Sequence, residues 1–220
     1  MSGIDYLNHG GVTCYLITGS SGNLLIDTGF YGGLKAIDRW LQGREVDYVF
    51  LTHGHIDHDW NALPFQKRGA KIILSEKDRD LPRHYMSQPV EPTFPKYRFR
   101  NFTQHVNGSV FRTRKYTPDI LLGEDREFLR GLGYDADVIP LPGHTYGSVG
   151  LLAGEVLYCG DAFTAIWGKP DITPHAVSID LMRKSLQTML DISPGWLACG
   201  HGEPVKMKDA VPVILEYLLS

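Results

Sequence analysis

Apolar and polar positions alternate in short blocks along most of this 220-residue chain. Residues 12–18 form an apolar run and 23–27 a second, with Ser20, Ser21 and Gly22 between them, which predicts a hairpin. Leu34, Ile37 and Leu41 recur at helical spacing, so 34–41 is expected to be a helix. The block 46–52 reads as a buried strand, 60–66 as a short helix and 71–74 as another strand. Later blocks at 119–122, 127–129, 136–141, 148–152 and 156–159 read as short strands separated by turns. An amphipathic helix is expected over 180–190, a strand over 196–199 and a closing helix over 207–219. Two half-sheets with helices outside would explain this order, with no linker dividing 1–220 into separate domains.

The stretch 76–118 breaks the rhythm. Prolines fall at 82, 89, 92, 95 and 118. Between Arg83 and Tyr116 lie seven aromatics and seven Lys or Arg, with Glu91 the only acid. It reads as a loop-rich insertion or lid on the scaffold. Arg98 and Arg100 share one face of any strand there, and guanidinium suits an anionic substrate. The plainer alternative is a hairpin with aromatics packed down and solvated basic residues up.

Composition narrows the partners. With 43% hydrophobic and 21% charged residues the chain reads as globular. Its 22 basic and 25 acidic residues argue against an overall basic polymer binder, which makes nucleic acid an unfavoured partner. No apolar run approaches the roughly 18 residues of a membrane span. The first residues show neither a basic nor an apolar leader region, and Cys14, Cys159 and Cys199 form no CxxC. Reduced, buried thiols in a cytoplasmic protein are the expectation.

The chemistry concentrates in Thr52-His53-Gly54-His55-Ile56-Asp57-His58, directly after a predicted strand. Imidazole and carboxylate are the ligands zinc accepts besides thiolate, and a loop lets alternate side chains converge on one point. Three further candidates sit just past predicted strands: His144 in Pro142-Gly143-His144-Thr145, Asp161 in Cys159-Gly160-Asp161, and His201 in Cys199-Gly200-His201-Gly202. Strand ends in a packed sheet are rigid, and a preorganised metal site needs that rigidity.

Together these motifs resemble the metallo-β-lactamase-fold hydrolases, with Asp27 of Leu25-Ile26-Asp27-Thr28-Gly29 as an early marker. The resemblance covers nearly the whole chain except 76–118. It implies a four-layer αββα sandwich of mixed α/β class. It also implies that His53, His55 and His144 hold one metal, Asp57, His58 and His201 a second, and that Asp161 bridges them. Asp27 would orient a ligand. Two zinc ions would activate water for hydrolysis, with Asp57 as ligand and catalytic group; iron or manganese is also compatible with such ligands.

The expected substrate is a small ester, foremost a thioester or another anionic ester, as in glyoxalase II-like members. The alternatives are a lactonase, a phosphodiesterase, an iron-dependent sulfur dioxygenase on the same fold, or a non-catalytic binding protein. Lactonases of this fold usually carry Tyr three residues after the bridging Asp, where this chain has Thr164. The glutathione-binding helical domain of glyoxalase II is expected to be absent, given the short stretch after His201. Trp60, Thr164 and His175, with Arg98 and Arg100, are the candidate substrate-facing residues. The sequence is silent on oligomeric state.

Overall fold

Successive side chains of a strand point to opposite faces, and the buried residues of this chain sort by that rule into three separate cores. The computed structural model describes residues 3–85, 87–95 and 116–220. The chain runs β1 (Asp5–His9), β2 (Val12–Gly19), β3 (Gly22–Ile26), α1 (Leu34–Leu41), β4 (Tyr48–Phe50), α2 (Ile56–Asp59), α3 (Ala62–Lys67) and β5 (Lys71–Ser75). It continues through β6 (Glu91–Pro92), β7 (Ile120–Leu122), α4 (Phe128–Gly131), β8 (Asp137–Pro140), β9 (Val149–Ala153) and β10 (Val156–Gly160). The last elements are β11 (His175–Ala176), α5 (Ile179–Ile192), β12 (Trp196–Cys199), β13 (Val205–Lys206) and α6 (Met207–Leu219).

One sheet has the order β1-β2-β3-β4-β5-β7 and the other β13-β12-β10-β9-β8. Leu24, Ile26 and Phe50 of the first meet Val138, Leu151, Tyr158 and Ala198 of the second in the central core. Leu25, Val49 and Ile72 point the other way, onto Ile37 and Leu41 of α1 and Phe65 of α3. Leu157, Cys159 and Leu197 point outward onto Met182, Leu186 and Met189 of α5 and Ile214 and Tyr217 of α6. Helix, sheet, sheet, helix: the four-layer αββα sandwich follows from which face of each strand is apolar.

Some elements differ from the sequence reading. The block 127–129 is not a strand; its apolar residues open the helical turn α4, on which Leu129 is buried. So short a window shows neither a period of 2 nor one of 3.6. The N-terminal strand β1 is an added edge that pairs antiparallel with β2. The described part of 76–118 carries β6, which pairs with β11. Arg98 and Arg100 lie outside the described residues, as do residues 96–115 of the expected lid 76–118. Among the described residues, no helix is long and apolar enough to cross a membrane.

Candidate metal centre

Parallel neighbours send their C-terminal ends the same way, and the ligands exploit this. β3 and β4 are parallel partners, so Asp27 and the 52–58 segment emerge side by side. β10 and β12 are parallel partners in the other sheet, so Asp161 and His201 emerge together. His144 follows β8 on the same edge. Backbone bonds pinch the two sheets here: the Val149 amide donates to the Thr52 carbonyl at 2.9 Å and the Thr13 amide to the Gly200 carbonyl at 2.8 Å. The 53–59 stretch is only partly the loop expected from sequence. His55 precedes the single turn α2, whose start is closed by amides of His58 and Asp59 donating to the His55 carbonyl, both at 3.0 Å. That turn carries Asp57 and His58.

All seven residues converge. Ligand atoms of His53, His55 and His144 lie within 4.8 Å of one another, and so do those of Asp57, His58 and His201. His55 Nδ1 and His144 Nε2 are 2.8 Å apart. Asp161 sits between the triads: Oδ1 is 3.4 Å from His58 Nε2, and Oδ2 is 3.6 Å from His144 Nε2 and 3.2 Å from His201 Nε2. Asp57 Oδ2 is 3.4 Å from His201 Nε2.

The inward nitrogens are aimed by bonds on the outward ones. His53 Nδ1 meets Thr52 Oγ1 at 3.0 Å, His58 Nδ1 meets Asp27 Oδ2 at 2.8 Å, His144 Nδ1 meets the His175 carbonyl at 3.0 Å, and His201 Nδ1 meets the Gly11 carbonyl at 2.9 Å. Such outer partners fix ring orientation and tautomer at metal sites. Asp27 also accepts from the Thr52 amide and hydroxyl, both at 2.8 Å. It reaches them from a left-handed backbone (φ 57°) that Asp tolerates better than most residues. Thr52 stands in the motif itself, although its bond to His53 carries no sequence signal. The Gly11 and His175 carbonyls carry none either, because any residue supplies a carbonyl.

The ligand residues perturb one another's protonation. Burial, reinforced by neighbouring imidazoles, holds His53 and His55 well below the usual histidine range, and burial lowers His144. In the other half burial again opposes charge, but Asp161, Asp27 and Asp57 outweigh it and lift His58 to about 9. Asp161 and Asp57 likewise raise His201 against burial. Burial would raise Asp57 and Asp161, yet the facing imidazoles hold both carboxyls well below their ordinary value. Among the described residues, His53 Nε2, His58 Nε2 and Asp161 Oδ1 are buried without a hydrogen-bond partner. Buried polar atoms are rarely left so, and three of them aimed at one centre, all of metal-binding types, fit bound metal ions.

A cleft of about 420 Å³ opens over the ligands. Its wall includes Val12, Phe30, Ile56, Ile166 and Pro174, with Tyr85, Thr164, Thr173 and His175 as polar groups. Thr164 and His175 therefore face the site. Trp60 is not among the described residues that line the cleft; its ring packs edge-on against Phe30 at 5.4 Å and Tyr31 at 5.6 Å. Tyr85 was missed as a site residue, lost among the aromatics of the insertion; its ring lies 5.2 Å from that of His55. Gly10 and Gly11, both at positive φ, form the β1–β2 turn at the rim. No Lys or Arg lines the cleft among the described residues.

Residues 7–201 match the model of the metallo-β-lactamase superfamily. The chain belongs to that superfamily. It is 28% identical over 202 residues to a probable metallo-hydrolase of Methanocaldococcus jannaschii, covering 86% of each chain. It is 24% identical over 116 residues to the hydroxyacylglutathione hydrolase GloC of Haemophilus influenzae, covering 51% of this chain and 48% of that one. Among solved structures it resembles TTHA1623 in a di-iron-bound form, with a TM-score of 0.66, 21% identity and coverage of 94% and 96%. At that identity the likeness speaks for the fold alone.

Proposed function

We propose that this chain is a binuclear zinc hydrolase of a small ester-type substrate, a thioester or another anionic ester. The observation that carries the reading is the pair of ligand triads joined through Asp161. Bound there, two ions would supply Lewis-acid polarisation of the substrate carbonyl and acidify a water. The chain's own groups do the rest. Asp57, with about a third of its side chain open to the cleft, takes the proton of the attacking water and passes it to the leaving group. Addition of water to the carbonyl carbon breaks the C–S or C–O bond and yields an acid and a thiol or alcohol. Tyr85 stays protonated, since burial and then Asp57, Asp161 and Asp59 push its phenol up, so it donates to the substrate oxygen. Thr164 and His175 orient the remainder, and the apolar wall excludes water.

The thioester preference draws support from the relative named hydroxyacylglutathione hydrolase. For an anionic substrate, Arg98 and Arg100, which lie outside the described residues, are candidate partners on the sequence alone. The test begins with elemental analysis of protein purified without added metal, followed by a thioester, lactone and phosphodiester panel. Two zinc equivalents and thioester turnover are expected. Asp57→Ala and His144→Ala are expected to abolish turnover while circular dichroism stays unchanged. Full turnover in both variants, or a single iron with oxygen uptake on a persulfide, would overturn the reading.

A further inference from the structure

Asp78 ends a 3-10 turn (Glu76–Asp78) directly after β5 and is fully buried. Four donors converge on its carboxylate. Oδ2 accepts from the Gly54 amide at 3.2 Å and from Thr145 Oγ1 at 2.7 Å. Oδ1 accepts from the Gly147 amide at 2.9 Å and from Gln88 Nε2 at 2.9 Å. A buried carboxylate is tolerated only where donors meet it in such number, and hydrogen bonds to it are among the strong ones.

The identity of the donors gives the arrangement its meaning. Gly54 lies between His53 and His55, and Thr145 and Gly147 follow His144. One side chain thus ties together the two loops that carry every imidazole of the first triad. The packing leaves no slack. A Cβ on Gly147 would meet Asp78 Cγ and Oδ1 at 2.6 Å, and one on Gly54 would meet Leu81 Cβ at 2.8 Å. Gln88 extends the tie, since its Oε1 accepts from the Tyr146 amide at 2.9 Å. The second triad is held by other groups: Asp27 on His58 and the Gly11 carbonyl on His201.

We propose that Asp78 is a positioning residue that sets the 53–55 loop against the 144–147 loop. It thereby governs the affinity of one ion, the one held by His53, His55 and His144, and leaves the other largely untouched. This rests on the metal reading above. It concerns a residue four positions beyond the expected strand 71–74, and no metal-ligand pattern marks it in the sequence.

Zn²⁺ and Co²⁺ titrations of the full chain, with chelator competition, separate the possibilities. The wild type is expected to take two equivalents. Asp78→Asn turns one acceptor oxygen into a donor facing donors already in place. It is expected to weaken one ion by about 10–100-fold, the scale for outer partners of metal ligands. The Co²⁺ spectrum of its remaining ion is expected to match that of His55→Ala. Should Asp78→Asn fail to fold, Thr145→Val provides the same test more gently, and Thr145→Ser, which keeps the hydroxyl, is expected to restore both ions. Wild-type affinity at both sites in Asp78→Asn and Thr145→Val would overturn the proposal. So would parallel loss of both ions, which is what general loosening of the fold produces. A wild-type chain that takes up no ion would sink the metal reading itself, before any variant is considered.

Discussion

Asp27 makes three side-chain bonds from one carboxylate, to the Thr52 amide, the Thr52 hydroxyl and His58 Nδ1. Its effect should fall on the triad that Asp78 spares. Asp27→Ala is expected to weaken the ion at Asp57, His58 and His201 by about 10–100-fold, read by chelator competition. His58 itself makes a pH prediction for the metal-free chain. Its folded pKa, about 9, lies above the ordinary 6.5, so its protonated form stabilises the fold. That contribution is complete below about pH 6.5 and is lost as pH rises through about 9; His201 shifts in the same direction. Denaturant unfolding of metal-free protein should therefore show stability falling over pH 6.5–9. Loaded protein should not follow, because a bound ion replaces those protons. A metal-free stability that is flat or rising across this window would show that His58 is neutral in the fold.

Elements divide the labour between holding the fold and aiming the site. Leu186 of α5 is fully buried in the outer core and is neither a candidate ligand nor a residue of the cleft wall. Leu186→Ala is expected to cost about 2–5 kcal/mol in chemical denaturation while metal content stays at the wild-type value. The elements legible in the sequence were those with a strong period or a full apolar block. β2, β3 and α1 had one, and the expected strand over 46–52 contains β4. β1 was not legible because its residues are half-buried or exposed at a sheet edge, so the alternation is faint. β6, β11 and β13 have two residues each and are defined by partners distant in the chain, which no local pattern records. The metal-ligand candidates were legible for a different reason. His, Asp and Gly cluster at the ends of apolar runs, and parallel pairing in both sheets turns those separate ends into one edge. What aims them was legible only in Asp27, which meets His58; Gly11 and His175 act through carbonyls and Asp78 through a fold-made meeting of two loops, and these leave no local pattern.

At the scale of the whole molecule, each triad takes ligands from both sheets. His53 and His55 follow β4 while His144 follows β8; Asp57 and His58 follow β4 while His201 follows β12. An ion in either place binds the folded chain and not the unfolded one, so it adds stability by mass action, about 2.7 kcal/mol at a hundredfold excess over Kd. Removing metal with a chelator is expected to lower the thermal midpoint and speed proteolysis, and Zn²⁺ should reverse both. A midpoint indifferent to chelation would mean that the backbone pinch between Val149 and Thr52 and between Thr13 and Gly200 closes the sandwich by itself. If the ions do share that work, scarcity of metal in a cell would remove the protein as well as its turnover. The opened chains would go to proteases, and the amount of this protein would itself become a gauge of metal supply.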